Sequence, residues 1–99
     1  MRGSIVETLE RLAPELRSEC KIELLGLIGS AARNEMSPSS DVDVAYRRLP
    51  DARVTLLDVS RARRHLERAL ARKVDLIDWN AVRQHYRQSM QKDLVALHG

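Results

Sequence analysis

Two aspartates on one short strand, placed after a Gly-Ser turn and the ten residues 31–40, are the groups in this chain best spaced to do chemistry. The segment runs Leu24-Leu25-Gly26-Leu27-Ile28-Gly29-Ser30-Ala31-Ala32-Arg33-Asn34. It then passes a polar loop with Glu35, Ser37, Pro38, Ser39 and Ser40 and reaches Asp41-Val42-Asp43-Val44. An apolar run ending in Gly-Ser reads as a strand breaking into a tight turn. Side chains alternate between the faces of a strand, so Asp41 and Asp43 share one face and Val42 and Val44 the other. Two ionised carboxylates side by side repel, and each raises the other's pKa unless a cation lies between them. Magnesium takes hard oxygen ligands and is commonly held by one or two carboxylates plus substrate phosphates. An Asp-x-Asp strand facing such a turn therefore predicts a nucleotide and metal site. There Gly29 lets the backbone approach a phosphate and Ser30 offers its hydroxyl. A short helix from Ser30 through Arg33 would add free N–H donors.

A third carboxylate follows downstream. Lys73-Val74-Asp75-Leu76-Ile77-Asp78 is a short β-rich run in which Val74 and Leu76 face one way and Asp75 and Ile77 the other. Pairing this run beside the Asp41 strand would bring Asp75 to the metals, either as a further ligand or as the base that takes a proton from an attacking hydroxyl. Asp78 faces the opposite way near the strand end and is expected to cap the following helix. Arg33 has two readings, contact with phosphate or an ion pair to Asp41 or Glu35, and is left outside the catalytic set.

These residues resemble a known family. Gly29-Ser30, the ten-residue gap, Asp41-x-Asp43 and the strand aspartate Asp75 look like the polymerase-β-type nucleotidyltransferase superfamily, and the short length is similar to its minimal, single-domain members. The local form Gly-Ser-x-Ala-Arg-x with Ser-Asp-x-Asp is fairly specific, and the resemblance runs over nearly the whole chain. Two departures are visible. Asn34 stands where the family usually has glycine, and Leu27-Ile28 where an aromatic is common; asparagine tolerates the left-handed conformation, so the turn is expected to survive. The resemblance implies an α/β (α+β) fold, a small mixed sheet with helices packed on one face. It implies Asp41, Asp43 and Asp75 as catalytic and metal-binding residues, Gly29 and Ser30 as nucleotide-binding residues, two magnesium ions, and ATP as substrate. It further implies an antitoxin that attaches AMP to a tyrosine of a helical HEPN-type toxin. The alternative is a catalytically idle antitoxin of the same fold that masks its partner by contact.

Ninety-nine residues are expected to form one domain, 1–99, burying roughly 60 to 70% of its unfolded surface, with no second lobe to hold an acceptor. The acceptor must then bring its own structure. No segment reads as a membrane span or a secretion signal, which predicts a cytoplasmic protein. The lone Cys20 excludes a disulfide framework within the chain. His65, His85 and His98 are far apart in sequence and carry no zinc spacing, and His65 is expected on a solvated helix face. The net charge is +3, and Arg61, Arg63, Arg64, Arg68, Arg72 and Lys73 cluster on or beside one predicted helix. With Glu67 interleaved and only Tyr46, Trp79 and Tyr86 as aromatics, a solvated face explains them better than direct nucleic-acid binding.

Periodicity supplies the elements. Ser4 and Glu7 read as a capping box opening a helix with the stripe Ile5, Leu9, Leu12 and Leu16, in which Pro14 introduces a kink or a restart. Strands are predicted over 21–28, 41–46 and 73–78. A long helix is predicted over 56–72, with Leu56, Val59, Ala62, Leu66, Ala69 and Leu70 on one face. Asn80 is expected to cap a helical region reaching about Gln91, and 94–97 to add a short edge strand.

Overall fold

Ile5, Leu9, Leu12 and Leu16 recur every three or four residues and bury one face of α1 (Arg2–Cys20), the longest helix of the computed structural model, which describes residues 2–37 and 39–97. Pro38 and His98, both named above, lie outside the described residues. The helix runs unbroken past Pro14. Ser4 does not cap it: α1 already includes Arg2, and the Ser4 carbonyl accepts the Thr8 hydroxyl at 2.9 Å as an interior helical group. Leu9 and Leu16 are fully buried, and each such side chain contributes about 1.5–3 kcal/mol relative to exposure.

The chain leaves α1 through Lys21, at φ 59, and enters β1 (Ile22–Ile28). A single turn, α2 (Gly29–Ala32), and a loop lead to β2 (Val42–Arg48). Then come α3 (Leu56–Leu70), β3 (Val74–Asp78), α4 (Gln84–Asp93) and β4 (Val95–Ala96). The four-stranded sheet has the order β3-β2-β1-β4. β1 pairs antiparallel with β2 and β4, while β3 lies parallel to β2 after the α3 crossover, giving the mixed sheet expected. The register of β1 shifts between Leu24 and Gly26; a Cβ at Gly26 would collide with the Val95 carbonyl, so glycine is what lets β4 dock there.

The core joins α1 and α3 to one face of the sheet through Ile22, Leu24, Leu27, Val42, Val44, Tyr46 and Val74. On α3 only Ala62 and Leu66 are buried, with Val59 and Leu70 packed at the margin. Leu56 is 83% exposed and Ala69 is exposed, so the helix face is narrower than the sequence suggested. Leu56 opens the first turn at the rim of the sheet, and Ala69 is rotated off the stripe formed by Val59, Ala62, Leu66 and Leu70. Asn80 does not start the last helix. Arg83 holds the N-cap position of α4, and residues 79–82 form a turn in which the Asn80 N–H donates to Asp78 Oδ1 at 3.1 Å. Asp78 thus caps a turn, and its other oxygen faces Arg48 at 3.4 Å. Among the described residues, no helix is long and apolar enough to cross a membrane.

Candidate active site

Ile28 is still extended, at φ −132 and ψ 173, and the next residue, Gly29, swings to φ +72. That reversal ends β1 and opens α2, where the sequence placed a short helix. A Cβ on Gly29 would come within 2.5 Å of Asp43 Oδ2. The positive φ favours glycine here, and the close approach sets its backbone against the Asp43 carboxylate. The turn closes on itself, with Arg33 N–H donating to Gly29 O, Asn34 N–H to Ala31 O and Glu35 N–H to Ser30 O. Asn34 adopts φ 59, the left-handed conformation expected of it. The far end of α2 is held by Arg2, whose Nη1 donates to Ala32 O at 2.9 Å.

β2 carries Asp43 into the same region. Val42 and Val44 are buried on the helix-covered face, while Asp43 is half-buried on the other, in register with Ile28 on β1 and Asp75 on β3. The predicted neighbourhood of Asp43 and Asp75 thus follows from the parallel pairing of β2 and β3. Asp41 lies just before β2 and is exposed, as is Asp75. The Asp43 carboxyl is pushed above its ordinary pKa, first by burial and then by the charges of Asp75 and Asp41, with Arg33 opposing. The three carboxylates therefore act as one electrostatic group. Among the described residues, each of them lines a different depression. Asp43 lines a depression of about 260 Å³, Asp41 one of about 350 Å³ and Asp75 one of about 270 Å³. An all-carboxylate set in which the charges of Asp75 and Asp41 raise the pKa of Asp43 suits a hard divalent cation, which would offset that repulsion.

Asp43's depression has a wall the sequence did not announce. Ser89, Met90 and Asp93 of α4 face Ile28, Gly29, Arg33, Asp43 and Ile77 across it. Arg33 ties that wall to the turn, with Nε 3.1 Å from Glu35 and Nη1 3.1 Å from Asp93. Glu35 was one of the two ion-pair partners the sequence offered for Arg33, beside contact with phosphate. Asp93 lies 60 residues away, and no local pattern points to it. His65 departs from expectation, being half-buried with Nε2 3.6 Å from Glu15. Glu15, Glu19 and His65 bring ligating atoms within 4.8 Å of one another, a grouping among the described residues that their sequence separation concealed.

Comparison with known proteins agrees with this arrangement. Residues 10–98 match the family described as polymerase beta, nucleotidyltransferase. A protein of Methanocaldococcus jannaschii, proposed to be a protein adenylyltransferase, is 32% identical over 94 residues that make up 94% of each chain. The structure of a proposed minimal nucleotidyltransferase superposes with a TM-score of 0.75 at 25% identity, covering 93% of this chain and 95% of that one. A toxin-antitoxin crystal structure with AMP-PNP has the same fold, with a TM-score of 0.69 at 23% identity over 91% of this chain and 73% of that one.

Proposed function

The chain belongs to the polymerase beta nucleotidyltransferase family of enzymes, and from that membership we propose that it moves AMP from ATP onto a hydroxyl of a partner protein. The observation that carries this reading is the placement of the Gly29 backbone against the carboxylate of Asp43, itself in register with Asp75. A phosphate seated on the Gly29-Ser30 turn lies beside two carboxylates. Protein as acceptor is supported by the proposed activity of the M. jannaschii relative, and ATP by the AMP-PNP of the toxin-antitoxin neighbour.

Asp41 and Asp43 would hold the metal, with Asp75 as third ligand or base, and Ser30 and the first N–H groups of α2 would hold the phosphates. Two magnesium ions, when bound, neutralise charge on the triphosphate and its leaving group. The acceptor oxygen attacks the α-phosphorus, its proton passes to Asp75, and the bond from the α-phosphorus to pyrophosphate breaks. The acceptor is a tyrosine of a HEPN-type toxin, which the transfer silences, making this chain an antitoxin. A second reading, masking of the partner without chemistry, draws on the exposure of Asp41 and Asp75 and their separate depressions.

One experiment separates the two. Purified protein, magnesium, α-labelled ATP and the product of any adjacent HEPN gene should label one tyrosine of that partner, and neither a Tyr→Phe partner nor Asp43→Asn enzyme should give label. An unlabelled partner that is nonetheless inhibited would establish masking instead.

A further inference from the structure

Arg72 belongs to the basic stretch that the proposed chemistry leaves unused, yet its guanidinium is engaged. Nη1 donates to the carbonyl oxygens of Ser37 at 3.1 Å and Ser40 at 3.3 Å. Those two residues also close on each other: Ser40 N–H donates to Ser37 O at 3.1 Å, and Ser37 N–H to Ser40 Oγ at 2.9 Å. Asp41 follows immediately and precedes the first residue of β2. The next residue, Val42, donates its N–H to Lys73 O at 2.9 Å. Asp41 therefore hangs between two anchors supplied by neighbouring residues, the Arg72 side chain on one side and the Lys73 backbone on the other. Arg72 reaches this point because α3 stops at Leu70 and Ala71 turns the chain at φ 54.

We propose that Arg72 is a positioning residue for the transfer site, gripping Ser37 and Ser40 so that Asp41 is held in place just before β2. The proposal rests on the nucleotidyltransferase reading of Asp41. It makes a prediction opposite in sign to simple electrostatics. A cation near a metal ligand repels the metal, so deleting its charge should tighten metal binding. Deleting a clamp loosens it, because the ligand must be ordered anew on binding.

The full chain carrying Arg72→Ala or Arg72→Lys is compared with wild type in two measurements. Without metal, amide exchange of Ser40 and Val42, whose N–H groups are bonded in this segment, should speed up about tenfold in Arg72→Ala as the local opening becomes cheaper. By calorimetry, manganese with a non-hydrolysable ATP analogue should bind about five- to tenfold more weakly, the scale of lost charge-assisted hydrogen bonds, while the melting temperature changes little. Arg72→Lys, which keeps the charge, should recover affinity in part. In an Asp41→Asn background the same substitution should cost no further affinity, since the group it positions is gone. Unchanged exchange, tighter manganese binding, or a full additional loss in the Asp41→Asn background would overturn the clamp. A wild type that binds no manganese and nucleotide would instead overturn the functional reading beneath it.

Discussion

Asp43 pays for its position. Half-buried between the Gly29 backbone and Asp75, its carboxyl titrates above the ordinary value of 3.8, burial being the largest cause and the Asp75 and Asp41 charges the next. A folded pKa above the unfolded one means that the folded state binds more protons between the two. The stability of the metal-free protein should therefore fall as pH rises through that interval. Removing the charge removes the strain: Asp43→Asn should melt higher than wild type at neutral pH without metal while losing transfer, and a lower melting point would make Asp43 a structural residue. Asp75 is exposed. If it takes the acceptor proton, Asp75→Asn should retain most Mg-ATP affinity and lose about 100- to 10,000-fold in rate. Equal affinity losses at Asp41, Asp43 and Asp75 would show a plain third ligand.

At the scale of elements, α3 links the parallel strands and so brings Asp75 beside Asp43. Its start is fixed by a capping box. Thr55 Oγ1 accepts the Asp58 N–H, and the Asp58 carboxylate accepts the Thr55 N–H. The Asp58 carboxyl is held below its ordinary value, chiefly by the Thr55 backbone N–H and then by the Thr55 hydroxyl. This contribution is present above the unfolded pKa and is lost as pH falls through the lowered folded one. Thr55→Ala should cost about 1 kcal/mol at neutral pH, a fall of about 4–8 °C in melting temperature for a domain this size. The gap between the two proteins should narrow in strong acid. A gap independent of pH would place the effect outside the box.

Across the whole molecule, α1 is the backing against which the site is built, because it packs on β1 and β1 delivers Gly29. Leu16, fully buried, faces that core. Leu16→Ala should cost about 2–5 kcal/mol, a large share of the 5–15 kcal/mol typical of a domain. Cys20 offers a probe of the loss. It is 1% exposed, and burial raises its thiol pKa, with nearby Arg61 opposing. Alkylation of Cys20 in the native protein should be slow, and Leu16→Ala should speed it by at least about 30-fold if both report the same opening. Unchanged labelling would mean that Cys20 is reached by local fluctuation instead.

The period of two in Asp41-Val42-Asp43-Val44, the Gly-Ser break after an apolar run and the stripe in α1 were all readable by eye, because each is a rule about neighbours along the chain. They singled out Gly29, Ser30, Asp41, Asp43 and Asp75 as candidates and the strands that carry them, while the mixed sheet was implied by the family resemblance. Even the left-handed Asn34 followed from its side chain. The helix boundaries were less legible: Ser4 and Asn80 carry capping chemistry, but Arg2 reaches Ala32 O from the start of α1, and the 79–82 turn consumed Asn80 and Asp78. Tertiary structure alone decided what lies far apart in sequence. The Asp93 and Met90 wall over Asp43, the pairing of Arg33 with Asp93, the grip of Arg72 on Ser37 and Ser40, and the approach of His65 to Glu15 all join residues separated by tens of positions. A long flexible side chain has many partners within reach, and only the packed position of its helix selects one. Periodicity says which face a residue takes and nothing of what the fold sets opposite it.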